Sequence, residues 1–144
     1  MIKTMEVLKE VKNIVSKEFN NVSIAMLEDE LFDGTILNGV SIEPAGETVK
    51  SIGIGGFSEK EIESISFNIH LIKKQEYKGD TYSLEDFINE KDKIIELLYC
   101  DELLGPTGNF RSFSISTEPL KFTDDETVFA VWIYKINVLG KIRD

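Results

Sequence analysis

Residues 64–72, SISFNIHLI, restrict the fold more than any other segment. Ile65, Phe67, Ile69 and Leu71 alternate with Ser64, Ser66, Asn68 and His70. A period of two places the first set on one face of a β-strand and the second set on the other. The apolar face must pack on a core, and the polar face must meet water or a partner. A chain carrying such a strand has to supply a layer that covers one side of a sheet.

Two segments qualify as that layer. Met5, Leu8, Val11, Val15 and Phe19 recur at steps of three and four, and Val7 and Ile14 widen the stripe. Lys9, Glu10, Lys12, Asn13 and Lys17 fill the opposite side, which predicts an amphipathic helix over about 3–18. The second segment follows Ser83, an N-cap residue with Asp86 three positions on, much like a capping box. Leu84, Phe87, Ile88, Ile94, Ile95 and Leu98 give its apolar stripe, and the helix stops near Tyr99 or Cys100.

The remaining segments read as β-structure and turns. Residues 22–27 suit a short strand. Asp33-Gly34 and Asn38-Gly39 supply turn signals, and Ser41-Ile42-Glu43 reads as a short strand ended by Pro44. Residues 44–61, with Gly46, Gly53, Gly55 and Gly56, predict a long mobile loop or hairpin. Phe113, Ile115 and Thr117 alternate with Ser112, Ser114 and Ser116, and Pro119 marks an end or an edge. Residues 128–138 are nearly all apolar on both faces, so that strand should be covered on both sides, at least at its start. The sum is one α+β domain over 1–144. Its sheet is mostly antiparallel, two main helices pack on one face, and the second face is only partly covered.

Charge and residue usage narrow the function. The formal charge is −10, from 26 acidic and 16 basic side chains, and the only arginines are Arg111 and Arg143. Gripping nucleic acid takes clustered Lys and Arg, so direct nucleic-acid binding and anionic membranes are disfavoured. No apolar run approaches the length of a membrane span, and the charged opening segment does not read as a signal peptide. The single cysteine, Cys100, makes no internal disulfide and reads as a buried thiol. His70, the only histidine, lies on the polar face of its strand and is better read as a partly exposed strand residue than as a ligand or base. Glu28-Asp29-Glu30 and Asp124-Asp125-Glu126 lack the alternating ligand spacing of a calcium loop. The Gly53-Ile54-Gly55-Gly56 run lacks the spacing of a phosphate loop. No catalytic, metal-binding or cofactor-binding residue is assigned, and the leading class is a structural or interaction protein rather than an enzyme.

The order of elements resembles that of the tail terminator and tail-completion proteins of long-tailed bacteriophages and prophages. The stretches that carry the resemblance are 5–19, 22–43, 62–72 (ISFNIHLI at its core), 83–98 (SLEDFINEKDKIIELL) and 110–138. It implies a homo-oligomeric ring, commonly hexameric, that caps the tail tube and joins it to head and neck proteins, without cofactor or catalysis. It implies a location in the virion tail, and in the bacterial cytoplasm during assembly. An acidic surface agrees with a channel through which DNA slides without sticking. On this reading Lys50 and Lys60 in the long loop, with Ser64, Ser66, Asn68 and His70, are the candidate subunit or tube interface. A rival expectation is a small acidic immunity protein that covers a basic toxin, with the clusters at 28–30 and 124–126 as its binding patch.

Overall fold

Helix α1, Thr4–Val15, turns Val7, Leu8, Val11, Ile14 and Val15 inward, as the spacing predicts. Met5, placed on the same stripe by the sequence, is instead half exposed. The computed structural model describes residues 3–26, 38–52, 59–76, 84–104, 110–124 and 127–140. After α1 come β1 (Val22–Ile24), β2 (Asn38–Ile52), β3 (Glu59–Glu76), α2 (Leu84–Leu98), the short α3 (Asp101–Leu104), β4 (Phe110–Asp124) and β5 (Thr127–Gly140).

The strands form one sheet in the order β1-β2-β3-β5-β4. The fold is α+β, with one departure from the expected antiparallel pattern: β1 pairs with β2 in parallel, Ser23 beside Ser41. Every other pairing is antiparallel. β5 lies inside the sheet, between β3 and β4, and carries buried apolar side chains on both faces. Trp132, Tyr134, Ile136 and Val138 face the helices, while Val131 and Ile133 are buried on the other side.

The main core lies between the helices and one face of the sheet. Val7, Leu8, Val11 and Val15 of α1 and Phe87, Ile94 and Leu98 of α2 meet Val40, Ile42, Ile65, Phe67, Ile69 and Leu71. Ile65, Phe67, Ile69 and Leu71 of the alternating strand therefore point at the helical layer, and fully burying each is worth about 1.5–3 kcal/mol.

Of the loop and the hairpin expected at residues 44–61, the structure shows the antiparallel pairing of a hairpin and not a loop over most of the stretch: β2 runs through to Ile52 and β3 starts at Glu59. Val49 lies opposite Ile62, and Lys50 opposite Glu61. Pro44 does not end the strand, and Asn38-Gly39 opens it rather than turning it. Between Pro44 and Gly46 the register shifts, and Gly46 takes φ +110°, which glycine tolerates and other residues resist. That bulge absorbs the local irregularity, so long-range pairing overrides the loop-like composition. The pairing of β3 with β5 begins only at Ser64. The outer parts of β2 and β3 thus form a two-stranded arm beyond the main sheet. The turn at Asp33-Gly34, the cluster at 28–30, the cap at Ser83 and the glycines at 53–56 lie outside the described residues.

Candidate functional site

The face of the sheet away from the helices collects most of the residues singled out by the sequence. Side chains directly opposite in neighbouring strands share a face, so the register builds rows across it. One row runs Gly46, Ser66, Asn137, Ser114; the next runs Glu43, Asn68, Lys135, Ser116; a third runs Ser41, His70, Ile133, Glu118. Ser64 lies at the start of the β3–β5 pairing, opposite Leu139.

From these two rows Ser66, Asn68, Ser114, Ser116, Lys135 and Asn137 line a shallow depression of about 450 Å³, together with Ala45. Ser66 Oγ donates to Asn137 Oδ1 at 2.9 Å. Lys135 Nζ stands 3.3 Å from a Glu118 carboxylate oxygen, with both side chains largely in water. Such an exposed pair contributes at most a few tenths to 1 kcal/mol. In a chain of net charge −10 this patch is close to neutral: hydroxyls and amides, with one lysine between two glutamates.

His70 departs from the expectation of partial exposure. It is 3 % exposed, and Ser41 opposite it is fully buried. The sequence could place His70 on the polar face, but could not tell that this end of the face is covered. Ile72, Val131 and Ile133 beside it are buried as well. Ser41 Oγ donates to the Ala25 carbonyl at 3.1 Å, and among the described residues His70 Nδ1 has no hydrogen-bond partner. Burial pushes the His70 pKa below its ordinary value, and the Glu43 carboxylate offsets part of that. A ring so held is neutral at pH 7 and belongs to the packing of the covered half.

Lys50 and Lys60 lie in the arm, on β2 and β3 respectively, with Lys60 opposite Ser51. The structure therefore separates the candidates into three places: an arm with Lys50 and Lys60, an open polar patch with Ser64, Ser66 and Asn68, and a closed half with His70. The register partners Ser114, Ser116, Lys135 and Asn137 were missed as site residues. The only signal for them was the serine alternation of 112–116.

A second cleft, about 330 Å³, opens between the end of α1, the start of β1 and α2. Its charges are already paired: Lys73 with Glu90 at 2.9 Å and Lys93 with Glu18 at 3.0 Å. Among the described residues no group of three or more His, Cys, Asp or Glu is placed to hold a metal ion. No described helix is long and apolar enough to cross a membrane. No protein-family model matches the chain, and no curated protein matches it.

Proposed function

We propose that this chain works by contact, as a structural assembly protein of a phage or prophage tail. In that role it caps the tail tube as a homo-oligomeric ring and joins it to the neck. The observation that supports the reading is the open half of the sheet. Hydroxyls and amides predominate there, and the net charge of the patch is small in an otherwise acidic molecule. The arm that carries Lys50 and Lys60 continues from the same two strands, and in this role it would meet a neighbouring subunit or the tube.

The test is tube length. Tube protein from the same genome, polymerised with the purified chain, should give tubes that stop growing with the chain at one end, seen by negative-stain microscopy with a labelled chain. Tubes of unchanged length and bare ends would overturn the proposal.

The inhibitor reading retains one supporting observation: Glu85, Asp86, Asp92 and Glu96 are all exposed on α2. Such a surface speeds encounter with a basic partner. Neutralisation of a toxin encoded beside this gene, abolished by reversing those charges, would establish that role in place of the first.

A further inference from the structure

The geometry points to the outer edge of β4 as a self-association site, where a second copy of this chain pairs antiparallel about a two-fold axis through Ser114. This inference is independent of the tail reading.

β4 is the last strand of the sheet, and among the described residues no strand lies on its outer side. An edge of this length presents a row of backbone N–H and C=O groups that can template another strand. Two irregularities bracket its usable part. The register with β5 shifts between Phe110 and Ser112, and Pro119 has no N–H to donate. Between them, residues 112–117 carry no charge.

An apolar patch borders the same stretch on the helical side. Tyr99 is 59 % exposed, the most exposed of the described large hydrophobic residues. Its ring lies 4.7 Å from that of Phe113. Phe113 and Ile115 are only partly buried. A strand paired at the β4 edge would cover all three.

The occupant follows from the symmetry of the sequence about Ser114. In an antiparallel pair centred there, Ser112 opposes the partner's Ser116 and Phe113 opposes the partner's Ile115. The paired run is bounded by the bulge between Phe110 and Ser112 on one side and by Pro119 on the other. Within it hydroxyl meets hydroxyl, apolar meets apolar, and no like charges are opposed. A two-fold axis normal to the sheet keeps both helical layers on one side and joins the two Tyr99–Phe113 patches. Because each copy is strongly acidic, added salt should strengthen the pair.

Sedimentation velocity of the full chain, up to about 1 mM, tests this with three variants. Ser114 is exposed, so its replacement leaves the core intact, and circular dichroism checks that. The wild type and Ser114→Thr should form dimers. Ser114→Lys, which opposes two ammonium groups, should weaken the dimer about fivefold or more. Ser114→Cys in a Cys100→Ser background should oxidise to a covalent dimer. A chain that stays monomeric throughout overturns the proposal. So does a dimer or ring that Ser114→Lys leaves unchanged and Ser114→Cys does not cross-link.

Discussion

The Tyr134 hydroxyl donates to the carbonyl oxygen of Lys91 at 3.0 Å, which ties the interior strand β5 to the middle of α2. The Lys91 ammonium in turn stands 5.4 Å from the centre of the Trp132 ring. Two neighbouring helix-facing positions of β5 thus hold the same turn of α2. Tyr134→Phe removes the hydrogen bond and keeps the ring, so it should cost about 1 kcal/mol. Urea unfolding should report this as a lower midpoint at unchanged slope.

The same hydroxyl predicts behaviour at high pH. Burial, with the Asp92 and Glu90 carboxylates adding to it, pushes the Tyr134 pKa far above its ordinary value. The folded state therefore keeps the proton that the unfolded state releases above about pH 10. The contribution is complete below that pH and is lost as pH rises beyond it. Stability measured from pH 8 upward should fall less steeply in Tyr134→Phe than in the wild type. Parallel curves would contradict this.

His70 predicts the opposite limb. Its pKa is lowered by burial, so the unfolded state binds the proton first. The stability it confers is complete above about pH 6.5 and declines as pH falls through that value toward the folded pKa. His70→Leu, among Ile72, Val131 and Ile133, removes this dependence. The wild type minus variant difference, from chemical denaturation between neutral and mildly acidic pH, should grow steadily less favourable to the wild type. A flat difference would refute the assignment.

Gly46 predicts a strain effect without a clash. A Cβ placed there meets nothing within 4 Å, yet φ is +110°. Gly46→Ala should therefore destabilise by about 1–3 kcal/mol through the backbone alone. Ala45→Gly, its neighbour in the same bulge, should cost less. Thermal unfolding of the two variants compares them directly.

The sequence disclosed whatever was written in local periodicity. The alternation of Ile65, Phe67, Ile69 and Leu71 and the stripe of Val7, Leu8, Val11 and Val15 already specify a sheet with helices on one face. The apolar doublet of faces at Val131 and Tyr134 marks an interior strand. What escaped was set by distant partners. Val49 is in a strand because Ile62 lies opposite it, and no pattern near Pro44 or Gly46 says so. His70 is buried because neighbours cover one end of its face, whereas Ser66 and Asn68, on the same alternation, stay partly open. Asn137 and Ser114 reach the patch through register, which a linear reading does not supply.

β5 separates β3 from β4 along its whole length. During synthesis on a ribosome, then, Ile69 emerges long before the strand that pairs beside it, and Ile115 one strand ahead of it. Until Tyr134 and its neighbours clear the exit tunnel, β3 and β4 each expose an edge that only the latecomer can close, and the nascent chain must keep those edges from pairing with each other or with another nascent chain.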